Sequence, residues 1–320
     1  MKKVLYFNMP NGIDYEKELL KKWQITDLIL EEKDGKFSTD VLKGYDGLVC
    51  EYIKIGEEIF KNAPDLKIIG QQCIGVDDID IDTAEKYNIA VTNAPGFCSE
   101  DVATHAMALL LSVIRQTAMF DHDVKKGIWD CYSGLKMNRL SGKKAGLVSF
   151  GSIPQKLVPM LKGFGIEVFA YDIFKDNEFM SNFSVTKVDS LTDMLSFCDY
   201  IFLHTPLIPE TFHIINKETI IAMKDNAILI NVSRGALVDE VALIDALKSG
   251  KLLGAGLDVL EDEQHITTEL LNMNNVTITP HVAFLSEDSL RQSREIALEQ
   301  LIQRLCHNEV PTNCVNKIKI

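Results

Sequence analysis

AGLVSFGSIPQKLVPMLKGFGIEVFAYD, residues Ala145–Asp172, decides how the rest of the chain is read. The run AGLVSF has the length and composition of a strand, the segment after Gly151 reads as a helix, and IEVFAYD is a second strand ending on Asp172. Strand, turn, helix and strand form a βαβ unit. Asp172 lies 21 positions after Gly151, where a ribose-binding carboxylate is expected about 20 on. The turn departs from the G-x-G-x-x-G spelling, because Ser149, Gly151 and Pro154 occupy its three glycine positions. The middle glycine lets backbone approach a pyrophosphate, the first serves the tight turn, and the third serves helix-on-strand packing. Serine keeps the turn at some backbone strain, and proline in a first helical turn removes only an amide without an intrahelical partner. Dinucleotide binding is therefore expected to survive with one glycine.

Outward from this unit, DYIFLH, AILINV, GAGLD and VTITP continue the series toward the C-terminus. Before it, KVLYF, TDLIL, GLVC, LKIIG and IAVT alternate with helical stretches near 14–22, 56–62 and 80–87. Runs rich in Val, Ile and Leu without strict alternation suit parallel strands covered on both faces. SEDVATHAMALLLSVIRQ reads as a long buried helix with Ser99 as its N-cap. A last helix, EDSLRQSREIALEQLIQRL, lies beyond the second series and is expected to pack back on the first, which makes the first domain discontinuous.

The 320 residues suffice for two domains, and 46% hydrophobic content for two cores. A net charge of −13 without a basic block argues against nucleic-acid or anionic-membrane partners and favours small molecules or proteins. Seven cysteines without a CxxC pair suggest neither a disulfide framework nor a zinc site, and are read as reduced thiols of a cytoplasmic protein. No run approaches the roughly 18 apolar residues of a membrane span.

Three long stretches carry a resemblance: CIGVDDIDIDTAEKYNIAVTNAPGFCSEDVATHAMALLL, then DYIFLHTPLIPETFHIINKETIIAMKDNAILINVSRGALVDEVALIDALKSGKLLGAGLDVLEDE, then ITPHVA. The chain resembles the D-isomer-specific 2-hydroxyacid dehydrogenases from about residue 40 to 300. The resemblance implies an α/β fold in which a Rossmann doubly wound parallel sheet, residues 99–286, is inserted into a flavodoxin-like substrate domain, residues 1–98 and 287–320. It implies a homodimer, with residues 99–140 as the contact region, and it makes Arg234 the substrate-binding arginine, Glu263 the catalytic glutamate and His281 the acid/base histidine. The chemistry agrees. A guanidinium can clamp a 2-oxo acid's carboxylate by two parallel hydrogen bonds while polarising the ketone. An imidazolium gives its proton to the carbonyl oxygen, and a buried carboxylate beside it favours the charged ring and fixes its orientation.

By the same resemblance the backbone of Ile74, Gly75 and Val76 meets the substrate carboxylate, and Gly151, Ser152 and Ile153 meet the pyrophosphate. His204, Thr205 and Pro206 line the adenine and ribose side, Val232 and Ser233 approach the nicotinamide, and Asp258 lies near its positive charge. Asp172 favours NAD over NADP, since a carboxylate repels the extra phosphate; Lys175 nearby could soften the preference. Tyr52 and Phe97 suggest an aromatic pocket for lactate-like or branched-chain acids, with core packing as the bland reading of both. The loop CEYIK and the chain's stop at Ile320 disfavour phosphoglycerate, while Lys54 in that loop keeps it open.

Among the other histidines, His105 reads as packed or interdomain, and His122, His213, His265 and His307 as exposed; Trp129 reads as a packing anchor. Gln264 stands where the family often has proline, which loosens the loop carrying Glu263. The expected function is NAD-dependent interconversion of a 2-oxo acid and its D-2-hydroxy acid, without a metal. The alternative is a non-catalytic, NAD-sensing binding protein on the same fold.

Overall fold

The computed structural model describes residues 1–51, 53–134 and 137–320. Two compact units result, Met1–Phe97 with Ser286–Ile320, and Cys98–Leu285.

In the first unit, β1 (Lys2–Phe7), α1 (Asp14–Lys22), β2 (Leu28–Lys33), β3 (Gly47–Val49), α2 (Glu57–Asn62), β4 (Ile68–Gly70), α3 (Ile81–Lys86) and β5 (Ala90–Thr92) alternate along the chain. The strands form one sheet in the order β2-β1-β3-β4-β5, parallel throughout, which is the flavodoxin-like order. The last helix of the chain, Glu287–Leu305, belongs to this unit. Its Leu301 sits over Gly47 and Gly70, and a Cβ on Gly47 would crowd it at 3.3 Å. A buried ion pair ties the same helix to α1: Arg294 Nε donates to Glu16 Oε1 at 2.7 Å, and Glu16 is fully buried. The segment that follows covers the free edge of β5, with Val315 N donating to Val91 O and Asn316 accepting from Val91 N.

The second unit runs α4 (Ser99–Arg115), α5 (Thr117–Lys125), β6 (Lys144–Val148), α6 (Ser152–Gly163), β7 (Glu167–Tyr171), α7 (Asn177–Ser181), β8 (Thr186–Lys187), α8 (Leu191–Phe197), β9 (Tyr200–Leu203), α9 (Lys217–Ala222), β10 (Ala227–Asn231), α10 (Glu240–Ser249), β11 (Leu252–Leu257) and β12 (Val276–Ile278). Its seven strands are parallel in the order β12-β11-β10-β9-β6-β7-β8. All five residues of β10, AILIN, are buried, as expected of a strand covered on both faces. The order reverses between β6 and β9, and in such sheets ligands bind beyond the carboxyl ends of the strands at this switch point. Helix α4 lies close on β11 because Gly254 and Gly256 carry no side chain: a Cβ there would stand 2.7 Å from Val113 Cγ1 and 2.9 Å from Leu109 Cβ respectively. The nearly unbroken apolar run of α4 is thus accounted for.

Ser99, read as the N-cap of α4, is instead its first helical residue, and its hydroxyl meets that of Ser152 at 3.0 Å. Trp129 is no packing anchor, since 90% of it is exposed. No single helix among the described residues is long and apolar enough to cross a membrane; α4 and α5 pass that test only as a pair bent by 61°, and α4 is a core helix.

Candidate active site

At the switch point β6 ends at Val148 and the chain turns into α6. Ser149 takes φ 76°, a left-handed conformation that favours glycine. Its hydroxyl reaches Asp172 Oδ2 at 3.3 Å. That carboxylate, nearly buried, also accepts from the amides of Phe150 (2.7 Å), Phe174 (2.7 Å) and Lys175 (2.9 Å). Burial alone would raise its pKa, but these four donors outweigh burial and hold Asp172 below the usual carboxylate range. A fixed anion therefore stands at the end of β7. The ammonium of Lys175 lies over the Phe179 ring, 4.7 Å from its centre.

Gly151 is the N-cap residue of α6, and no side chain caps that end. A Cβ built on Gly151 would meet nothing within 4 Å, so this chain's own atoms do not require the position to be bare. Pro154, the third helical residue, is buried, and its missing amide falls among first-turn amides that have no intrahelical partner. Ser152 and Ile153 keep theirs. At the end of β9, both ring nitrogens of His204 are out of water with no partner among the described residues, and burial pushes the ring's pKa down to about 3. Beyond it, Thr205 is buried and Pro206 exposed. An uncapped helix end, an anionic strand end and unsatisfied buried nitrogens are the chemistry that fits an adenine dinucleotide.

The next strand end presents the arginine. Asn231, almost wholly buried, accepts from Ser233 N at 3.1 Å and donates to Arg234 O at 2.8 Å, so one side chain braces the whole turn. Val232 is buried, Ser233 Oγ donates to Leu203 O at 2.9 Å, and the half-buried Arg234 rests its Nη1 on Ser233 O. Asn231 was missed in the sequence, though an asparagine leaving a strand is itself a turn signal. Gly235 was missed as well. A Cβ there would overlap the backbone of Leu260 and Glu261, the segment that leads to Glu263.

Glu263 Oε2 lies 2.9 Å from His281 Nδ1. The glutamate is not the buried carboxylate expected of it, since its side chain is 42% exposed and that of His281 34%. A carboxylate can only accept, so the Nδ1 proton faces Glu263 and Nε2 is the ring atom left for other chemistry. Just before it, Asp262 Oδ1 accepts from the amides of Gln264 and His265, a local turn at the position where a proline was missing. His213, expected to be exposed, is half-buried and pairs with Glu261 at 3.0 Å.

His281 has φ 52°, again left-handed. Its turn is held by Asp258, whose side chain is completely buried: Oδ1 accepts from Val282 N and Oδ2 from Ala283 N, while Asp258 O accepts from His281 N at 2.8 Å. Burial would raise the pKa of Asp258; hydrogen bonds from His105, Thr279 and these amides more than offset it, leaving the group an anion. The residue expected beside a nicotinamide is thus engaged with protein on every side, and its charge reaches a ligand only through space.

In the first unit the 74–76 loop has its carbonyls occupied: Ile74 O accepts from Asn93 Nδ2, Gly75 O from Cys73 Sγ and Val76 O from Ile79 N. Phe97 is buried. Tyr52 lies outside the described residues.

A family profile for the NAD binding domain of D-isomer specific 2-hydroxyacid dehydrogenase matches residues 107–283. The chain is 40% identical over 273 residues to a glyoxylate reductase of Thermococcus litoralis, covering 82% of this chain and 81% of that protein. It is 36% identical over 266 residues to a hydroxypyruvate reductase of Blautia hydrogenotrophica, covering 81% of each. The crystal structure of a D-lactate dehydrogenase from Aquifex aeolicus, complexed with NAD and lactic acid, matches with a TM-score of 0.85 at 29% identity, over 99% of this chain and 100% of that one.

Proposed function

This chain belongs to the D-isomer specific 2-hydroxyacid dehydrogenase family and is an NAD-dependent oxidoreductase, and from that premise we propose that it reduces a short 2-oxo acid to the D-2-hydroxy acid. Arg234 holds the carboxylate, and His281 with Glu263 forms the acid/base pair. The observation that carries this reading is the 2.9 Å bond between Glu263 and His281 Nδ1, because it leaves Nε2 as the atom that gives or takes the proton.

Bound NADH supplies a hydride to the carbonyl carbon. As negative charge grows on the carbonyl oxygen, the imidazolium of His281 releases its Nε2 proton to it, and Glu263 keeps the ring from turning. The guanidinium of Arg234 binds the carboxylate through two N–H groups and draws charge from the adjacent carbonyl. In the reverse direction the neutral ring accepts the hydroxyl proton. The amides of Ile74, Gly75 and Val76 are proposed as further donors to the carboxylate, supported by the way their carbonyls are tied elsewhere.

Gly151, Ser152 and Ile153 would hold the pyrophosphate, Asp172 the adenosine ribose, and His204, Thr205, Pro206, Val232 and Ser233 the remainder. Since Asp172 is held as an anion by four donors, NAD is proposed over NADP. Glyoxylate, hydroxypyruvate and pyruvate are the proposed substrate class, because the relatives named above are reductases of the first two and the solved neighbour holds lactic acid.

A homodimer is proposed through residues 99–140. Its support is an apolar surface that this chain leaves uncovered, with Trp129 and Tyr132 about nine-tenths exposed and Val124 and Ile128 nearly half. All seven cysteines are free thiols, which supports a reducing, cytoplasmic setting.

Glyoxylate, hydroxypyruvate, pyruvate, phenylpyruvate and 4-methyl-2-oxopentanoate, each assayed by loss of NADH and NADPH absorbance, test the proposal. Turnover is expected with at least one of the three short acids and with NADH over NADPH. No turnover with any acid defeats the reading.

A further inference from the structure

His105 projects from the middle of α4, and its Nε2 lies 2.9 Å from Thr279 Oγ1 and 3.4 Å from Asp258 Oδ1. Thr279 Oγ1 in turn lies 2.5 Å from Asp258 Oδ1. The directions of these bonds follow from what each group can do. Asp258 is an anion and only accepts, so the threonine proton points at it; the threonine oxygen is then left to accept, and the Nε2 atom of His105 must carry a proton. His105 therefore donates through Nε2, to Thr279 Oγ1 and toward the same carboxylate oxygen that receives Val282 N.

We infer that His105 is a positioning residue for His281. The inference rests on His281 being the acid/base group proposed above, and nothing in the family comparison or the sequence reading assigns this role to position 105. His281 sits in a left-handed conformation, which strains a non-glycine residue and persists only where the surroundings over-determine it. Asp258 holds much of the His281 turn: three donors within residues 279–283 converge on its carboxylate. Those three donors belong to the turn itself, so a claim on the carboxylate from outside it ties the carboxylate and its turn to the rest of the domain. His105 makes that claim from α4, a core helix seated on β11 through Gly254 and Gly256. One path from the rigid body of the domain to His281 therefore runs from α4 through Thr279 and Asp258 to the turn.

The test compares wild type with His105→Leu, which removes the donor, and His105→Gln, whose amide nitrogen can restore it. Thr279→Val breaks the same path at its next member and serves where His105→Leu does not fold. Two readouts are used: kcat and KM on the best 2-oxo acid of the panel, and the side-chain resonances of His281 in protein labelled with nitrogen-15 histidine, assigned by their loss in His281→Gln. In His105→Leu and Thr279→Val, kcat is expected to fall about tenfold or more, as for a displaced reacting group, with KM within about twofold. The His281 resonances should shift or broaden, and His105→Gln should recover most of both effects. Unchanged His281 resonances in a folded His105→Leu or Thr279→Val protein, an unchanged kcat, or a Gln variant no better than Leu overturns the inference. An inactive wild type whose His281 resonances still respond to His105→Leu and recover in His105→Gln would instead defeat the proposed reaction and uphold the positioning path.

Discussion

Gly235 and Leu260 are in such close apposition that a Cβ on Gly235 would stand 1.9 Å from Leu260 O. The loop that carries Arg234 and the loop that carries Glu263 are thus held together backbone to backbone, with room for nothing larger than hydrogen. Gly235→Ala is expected to push the two loops apart. Because a displacement of about 1 Å at a reacting group costs roughly a hundredfold in rate, kcat/KM should fall by about that factor, measured alongside the melting temperature to show that the protein still folds.

Arg234→Ala should abolish turnover while leaving NADH affinity, read by calorimetric titration, within about threefold. Arg234→Lys should recover little, since an ammonium cannot form the two parallel bonds of a guanidinium. Retention of wild-type kcat/KM in either variant contradicts the role given to this side chain.

Ser149 combines a left-handed backbone with a hydroxyl bonded to Asp172. Two substitutions separate the two features. Ser149→Ala loses the bond and keeps the backbone conformation, and is expected to destabilise by about 1 kcal/mol. Ser149→Gly loses the bond but relieves a strain of about 1 kcal/mol, so its urea midpoint should stay near wild type. A glycine variant less stable than the alanine variant would show that the strain is absent.

His204 provides a pH dependence with a definite sign. Its pKa is pushed down to about 3 by burial, from about 6.5 in an unfolded chain. As pH falls, the unfolded chain takes up this proton first, so the group's contribution to stability is complete above about 6.5 and is lost progressively toward 3. The slope is at most about 1.4 kcal/mol per pH unit. Urea midpoints measured between about pH 7 and pH 4.5 should fall less steeply in His204→Leu than in wild type. Parallel curves would mean that the ring is protonated or solvated in the folded state.

Arg294→Met should destabilise the first unit by about 3–5 kcal/mol, because it leaves the fully buried Glu16 without a cation, with only Gln72 still donating to it. The chain has two tryptophans, and Trp23 packs against the core of this unit while Trp129 is exposed. Trp23 fluorescence therefore reports the loss. The double change Glu16→Leu with Arg294→Met should restore much of it.

The alternation of apolar runs and helices was legible in the sequence because parallel strands must be apolar on both faces, and the strand ends that carry Asp172, Arg234 and His281 followed from it. The place of Asp172 at the end of β7 was legible through spacing. What was not legible depends on distances across the fold. Nothing in SRGAL shows that Gly235 lies against Leu260, and nothing in LEDE shows that Glu263 is half in water. Asp258 was placed by resemblance near the nicotinamide, and nothing in the sequence shows that its oxygens are taken by the turn of His281. Trp129 was read as a packing anchor, yet a large apolar side chain is buried only where a partner surface lies within the same chain.

The split of the first unit between residues 1–97 and 286–320 fixes an order of events during synthesis. The continuous second unit, Cys98–Leu285, leaves the ribosome ahead of α11 (Glu287–Leu305) and can begin to fold before that helix emerges. Until that helix appears, Glu16 has no arginine, and the apolar surface around Gly47 and Gly70 is bare. A nascent chain therefore passes through an interval in which its first part is half-built and its second complete. Chaperone demand on this protein should be concentrated on its first ninety-seven residues and should end when the last helix emerges.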